Sequence, residues 1–102
     1  MKMVNIYWRD IPSQVLVQAG RTKAKVQLPE RFQDAIDRAA MRAGKGSSDL
    51  YLEEWRRDTC QMMATDNLQA VAEAKAQQLA DDYDDELLNK LIKNKGVMPK
   101  QD

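Results

Sequence analysis

The stretch YWRDIP, residues 7–12, decides how the first part of the chain folds. It closes a segment in which apolar side chains recur at every second residue: Val4, Ile6 and Trp8. This period of two predicts a β-strand with one buried face at about residues 3–9. Pro12 has no backbone N–H to donate, so the strand should stop near Arg9 or Asp10.

Two more strands are predicted to follow, at about 14–19 and 23–28. The first, QVLVQA, is apolar on both faces and so belongs in the interior of a sheet, whereas the second alternates cleanly. Parallel pairing would need a long crossover between strands, and the connections here are short. The expected sheet is therefore a three-stranded antiparallel meander.

Helices are predicted at about 29–43, 48–58 and 66–94. Pro29 suits the first turn of one helix, Ser47 or Ser48 can cap the second, and Thr65 can cap the third. The last segment is too long for a small domain, so it either breaks near 81–85 or projects from the fold.

Together these elements predict one α+β domain, residues 1–96, with a long C-terminal helix and a flexible tail at 97–102. Residues 60–63 stay open between a last helical turn, a covering loop and a short edge strand. Both the length of 102 residues and the balanced composition suit a single domain.

The charge is balanced overall but unevenly placed. Sixteen basic residues offset sixteen acidic ones. Residues 1–28 nevertheless hold five basic residues against Asp10 alone, and residues 65–102 hold five lysines against eight acidic residues. These two segments could form solvated faces of opposite sign. Alternatively, a basic sheet face carrying Arg21, Lys23 and Lys25 could meet an anionic partner.

The residue types needed for common catalytic and metal sites are scarce. The chain has no histidine, and Cys60 is its only cysteine, which excludes zinc sites and Cys–His dyads of the usual kinds. Cys60 is expected to be buried and inert. The segment 44–48 lacks the spacing of a phosphate loop, and 81–86 lacks the pattern of a calcium loop. We expect a protein without metal or cofactor that is not an enzyme on its own.

The compartment expected from the sequence is the cytoplasm. A lone cysteine favours a reducing environment, and no apolar run approaches the length that spans a membrane. No signal-peptide pattern opens the sequence.

Aromatic and arginine residues are the best candidates for contacts with a partner. Each tryptophan precedes arginine, and Trp, Tyr and Arg dominate binding hot spots. The same tryptophans could instead belong to the core, with the arginines paired to nearby carboxylates. The candidate interaction residues are Trp8, Arg9, Asp10, Arg21, Lys23, Lys25, Trp55, Arg56 and Arg57.

YWRDIPSQV, KVQLPERFQDAIDRAAMRAG and YLEEWRR together resemble a small bacterial family called virulence factor. The resemblance runs from about Ile6 to Arg57 and brings no established activity with it. The resemblance implies a gene encoded beside those of a methylenetetrahydrofolate reductase and a corrinoid methyltransferase. It thus implies an accessory role in one-carbon metabolism.

The expected function is a small non-catalytic accessory subunit that binds another protein or a second copy of itself. One alternative is a substrate-binding or regulatory subunit of an enzyme complex, for which a deep pocket should gather Tyr7, Arg9 and Asp10. Another is a weak nucleic-acid binder that uses the basic sheet face. A methylenetetrahydrofolate reductase or a methyltransferase is the partner that the resemblance implies.

Overall fold

The computed structural model describes residues 1–44, 48–63 and 66–98. The predicted caps Ser47 and Thr65 lie outside these ranges, as do residues 99–102 of the predicted tail. The elements within them, in chain order, are β1 (Lys2–Trp8), β2 (Ile11–Ala19), β3 (Thr22–Gln27), α1 (Glu30–Arg42), α2 (Ser48–Glu53), β4 (Trp55–Gln61), α3 (Leu68–Asp82) and α4 (Asp85–Lys93).

The strands form one antiparallel sheet in the order β3-β2-β1-β4. This confirms the α+β class, the meander of the first three strands and the interior position of β2. The prediction of three strands was one short, because β4 pairs along the free edge of β1. As an interior strand, β1 buries side chains on both faces, including the consecutive residues Met3, Val4 and Asn5.

The predicted helix at 48–58 is wrong beyond Glu53. Tyr51, Leu52 and Trp55 have helical spacing, but the helix ends at Glu53 and the chain continues as β4. A seven-residue pairing with β1 satisfies the backbone of Trp55–Gln61 on one side. That long-range pairing outweighs the local spacing, which favours a helix only weakly over so short a segment.

The boundary between β1 and β2 is a two-residue turn formed by Arg9 and Asp10, since Trp8 pairs with Ile11. β2 therefore begins at Ile11, three residues before its predicted start at 14. The register of the pair shifts between Ile6 and Tyr7. This irregularity accommodates Pro12 inside a strand, where it cannot donate a ladder hydrogen bond.

The core lies on one face of the sheet, beneath α1 and α3. It joins side chains of the sheet to the apolar stripes of the helices. The small residues of α1, Ala35, Ala39 and Ala40, are buried and let that helix lie close to its neighbours. The other buried members include Val15, Val17, Phe32, Ile36, Leu68, Leu79 and Leu91.

The long C-terminal helix breaks, which confirms the first of the two alternatives and corrects the continuous helix at 66–94. α3 ends at Asp82, and the side chain of Asp84 accepts a hydrogen bond from the Leu87 N–H at 2.8 Å to cap α4. A free carboxylate at this position satisfies an otherwise unpaired N–H of the new helix.

Candidate interaction surface

The turn at Arg9 and Asp10 is a meeting point of three parts of the chain. Arg9 adopts a positive φ of 52°, a conformation that few residues other than glycine accept. Its N–H donates to the carbonyl of Glu54 at 3.1 Å, and the N–H of Asp10 donates to the carbonyl of Gly96 at 2.8 Å. The hairpin is thereby joined to the start of β4 and to the segment after α4.

The side chain of Arg9 is committed to the protein's own structure. Its Nη1 donates to the carbonyl of Lys95 at 2.8 Å, and its Nη2 lies 3.3 Å from Glu54 Oε1. Only 18% of the side chain is exposed. These contacts hold the guanidinium within the fold, so Arg9 serves the architecture of the turn.

Asp10 pairs with Arg56 of β4 rather than with Arg9. Arg56 Nη2 lies 3.3 Å from Asp10 Oδ1, and its Nε donates to the Arg9 carbonyl at 2.7 Å. The other carboxylate oxygen of Asp10 accepts from the N–H of Met98 at 2.6 Å. Asp10 thus holds Met98, in the segment after α4, to the turn.

The guanidinium of Arg56 also covers the ring of Tyr7 at 4.4 Å. Burial raises the pKa of Tyr7 above its ordinary value of 10.0, Asp58 raises it further, and Arg56 opposes them. Burial likewise raises the pKa of Tyr83, with Tyr7 and Asp10 adding to the effect. Both hydroxyls are therefore neutral at physiological pH.

Trp8 is fully buried, which removes it from any contact surface. Its Nε1 donates to the carbonyl of Tyr51 at 2.8 Å, and its ring stacks on that tyrosine with centroids 5.9 Å apart. Trp55 meets the same Tyr51 edge-on at 5.7 Å and stays partly exposed. Trp8 therefore belongs to the core, whereas Trp55 lies partly at the surface.

The second face of the sheet lies opposite the core. Pairing places its residues in three rows that each cross β4, β1, β2 and β3. None of these residues belongs to the core cluster. We call these rows the open face: Gln61-Lys2-Gln18-Lys23, Thr59-Val4-Leu16-Lys25 and Arg57-Ile6-Gln14-Gln27.

The open face is basic and carries no carboxylate within its three rows. Its cations are Lys2, Lys23, Lys25 and Arg57, and all four are exposed. An aliphatic strip of Val4, Ile6 and Leu16 runs between them. Arg21 is exposed at the turn between β2 and β3, beside this face. The predicted lysines of β3 are therefore joined by Lys2 and Arg57.

A cleft of about 680 Å³ lies where the open face meets α2. Apolar groups of Ile6, Leu52 and Trp55 line it together with the polar residues Gln14, Arg56 and Arg57. Leu52 is 63% exposed, so it adds open apolar area to this cleft. The Oε1 atom of Gln14 is buried without a hydrogen-bond partner in the described structure.

The prediction that Cys60 is buried is wrong. Cys60 is exposed rather than buried, because β4 is an edge strand that the helices leave uncovered. In the described parts of the chain, no group of three acidic or cysteine side chains is placed to hold a metal ion. Nor is any described helix long and apolar enough to cross a membrane.

Part of this surface was not predicted from the sequence. Lys2, Gln14 and Leu52 were not singled out, although Lys2 shares the alternation of Val4 and Ile6 and could have been assigned to their face. Arg57 was chosen beside tryptophan in a predicted helix, and only its position on β4 brings it to the open face. The strand pairing was the missing information.

Comparisons with known proteins give one match. The model of a family described as "Virulence factor" matches residues 6–92. No curated protein and no solved structure matches the chain.

Proposed function

The chain belongs to the virulence factor family, and from this premise we propose that it is a small non-catalytic interaction subunit whose open face binds an acidic surface of a partner protein. The family description names no reaction, so the proposal depends on the surface. The observation that carries it is a sheet face with four cations, no carboxylate and an aliphatic centre.

This combination matches the anatomy of a protein interface. The aliphatic strip supplies apolar area to bury, at about 25 cal/mol per Å². The surrounding lysines and Arg57 select a partner of opposite charge and speed its approach. Within the strip Val4 is already buried by its neighbours, whereas Ile6 and Leu16 are partly exposed and can lose further area to a partner.

Size sets a limit on the contact. Four strands spaced by about 4.8 Å and roughly 20 Å long offer on the order of 400 Å². A stable complex buries about 800 Å² on each partner. The partner must therefore extend beyond the rows, and the cleft beside Trp55 is the adjoining apolar surface.

Nucleic acid is the second candidate, because a basic face without carboxylates also suits phosphates. Two observations favour a protein. The centre of the face is aliphatic and its rows hold no aromatic ring on which a base could stack. The formal net charge of the chain is zero, whereas nucleic-acid binders carry surplus positive charge.

A substrate-binding or regulatory role in an enzyme complex required a pocket at Tyr7, Arg9 and Asp10. The charged groups there are engaged by Glu54, Arg56 and backbone groups, which weakens that alternative. The resemblance noted above makes a methylenetetrahydrofolate reductase or a methyltransferase the first partner to test. A cytoplasmic location remains part of the proposal.

Site-specific photo-cross-linking tests the proposal in cells. A photoreactive amino acid replaces Gln18, which lies between Lys2 and Lys23 on the open face. The matched control replaces Gln77, an exposed glutamine on α3 whose side chain donates a hydrogen bond to the nearby Asp81. Both positions carry glutamine, so the same residue type is replaced in each case.

We expect a discrete protein adduct from position 18 and none from position 77. The adducts should resist nuclease and contain an acidic protein other than this chain. Equal adducts from both positions, adducts that nuclease removes, or no adduct from position 18 would each contradict the proposal.

A further inference from the structure

The cleft between α2 and the open face has the composition of a small-molecule site. We propose that it binds an amphipathic monocarboxylate, a ligand with a compact apolar body and a single carboxylate. The cleft adjoins the surface proposed for the partner and shares Arg57 with it, but a ligand titration of the purified chain needs no partner, so the two proposals can fail separately.

The apolar wall comes from two separate elements. Leu52 belongs to α2, while Ile6 and Trp55 belong to neighbouring strands of the sheet. The ring of Trp55 packs edge-on against the ring of Tyr51. An aromatic ring held in place in this manner offers apolar area at little cost in conformational entropy.

The charge in the cleft belongs to Arg57. The neighbouring Arg56 is already occupied by Asp10, the Arg9 carbonyl and the Tyr7 ring. Arg57, in contrast, makes no ion pair or side-chain hydrogen bond within the described parts of the chain. Consecutive residues of a strand point to opposite faces, which explains why the two arginines have different surroundings.

Charge complementarity therefore selects an anion. Among the described residues no carboxylate lines the cleft, and every charged side chain in the rows of the open face is positive. Arginine forms a two-pronged pair with a carboxylate, which fixes orientation as well as charge. A cleft of 680 Å³ lies within the range that small ligands occupy.

A titration with 4-phenylbutyrate tests the assignment, and its neutral amide, 4-phenylbutanamide, is the matched ligand. The indole N–H signal of Trp55 in a two-dimensional NMR spectrum reports binding at the cleft, while that of the fully buried Trp8 is the internal reference. Replacing Trp55 by Phe assigns the two signals.

We expect a saturable shift of the Trp55 signal with a Kd on the order of 1 mM or below, given the small size of the ligand. The amide should bind at least about fivefold more weakly. Arg57→Gln should abolish this preference, whereas Arg21→Gln, an exposed arginine outside the cleft, should keep it. Leu52→Ser should weaken both ligands alike.

Several results would overturn the inference. They are equal affinity for acid and amide, a preference that survives Arg57→Gln, and unchanged affinity in Leu52→Ser. The absence of any saturable shift of Trp55 up to about 20 mM ligand would overturn it as well. Arg57 and Leu52 are exposed, so their variants should fold, and the unchanged Trp8 signal verifies this.

Discussion

Gly96 lies directly against the indole ring of Trp8. A methyl group added to Gly96 would stand 2.8 Å from Cζ3 of Trp8 and 3.4 Å from the Cβ of Ala39. Gly96 also has a positive φ of 87°, and its carbonyl accepts the N–H of Asp10. The segment that follows α4 thus closes over the tryptophan at the end of β1.

This contact predicts that Gly96→Ala is strongly destabilising. The added carbon must displace a fully buried ring, and overpacking of that kind costs about 1–3 kcal/mol in addition to backbone strain of about 1 kcal/mol. Urea denaturation measures the loss. Gly20→Ala is the control, because Gly20 has a similar φ of 60° but open space around it. Equal losses in the two variants would show that packing against Trp8 is unimportant.

Asp10→Ala should release the segment that follows α4. The variant removes the acceptor of the Met98 N–H and the partner of Arg56, with an expected cost of about 1–2 kcal/mol. Hydrogen exchange should show reduced protection of the Met98 amide. Asp34→Ala, which removes an exposed helical ion pair with Arg38, should cost no more than about 0.5 kcal/mol. Unchanged protection at Met98 would refute the described role of Asp10.

The two adjacent arginines of β4 should differ in their effect on stability. Arg56→Ala removes contacts to Asp10, the Arg9 carbonyl and the Tyr7 ring, for about 1–2 kcal/mol. Arg57→Ala removes an exposed side chain that has no ion pair or side-chain hydrogen bond with the described residues, and it should stay within about 0.5 kcal/mol of the parent protein. Thermal unfolding of both variants distinguishes these cases. A larger loss for Arg57→Ala would reverse the assignment.

Alkaline pH should destabilise the fold partly through Tyr7 and Tyr83. The pKa of each is raised in the folded state, so the folded protein holds these protons at a pH where the unfolded chain has lost them. Their stabilising contribution is complete below pH 10 and is lost as pH rises above it through the folded-state pKa. The decline in the free energy of unfolding above pH 10 should be shallower in Tyr7→Phe and Tyr83→Phe. A decline as steep as that of the parent protein in both variants would contradict this prediction.

Local patterns predicted the elements whose partners are near in sequence. The strands of the meander follow one another directly, and α1 carries its apolar stripe within its own residues. β4 could not be recognised in this way, because its partner β1 lies about fifty residues earlier and its own residues are exposed on both faces. Its side chains lack the alternation that marks a half-buried strand.

The same difference between local and long-range contacts applies to the candidate site. Lysines 23 and 25 were found from their alternation on β3, and the pairing of Arg9 and Arg56 with carboxylates was among the predicted alternatives. The open face as a surface required the registers of all four strands. Likewise, Leu52 and Gln14 become neighbours of Arg57 only through tertiary packing.

The most direct test of the central claim is the affinity of the partner cross-linked from position 18 for two charge-reversed variants. One variant changes Lys2, Lys23 and Lys25 of the open face to Glu, and the other changes Lys75, Lys90 and Lys93 of the helices to Glu. Each reversal at the contact should cost on the order of 1 kcal/mol, so the first variant should bind about 100-fold more weakly and the second within about threefold of the parent protein. Equal losses in the two variants, or full affinity in the first, would contradict the claim that the open face is the binding surface.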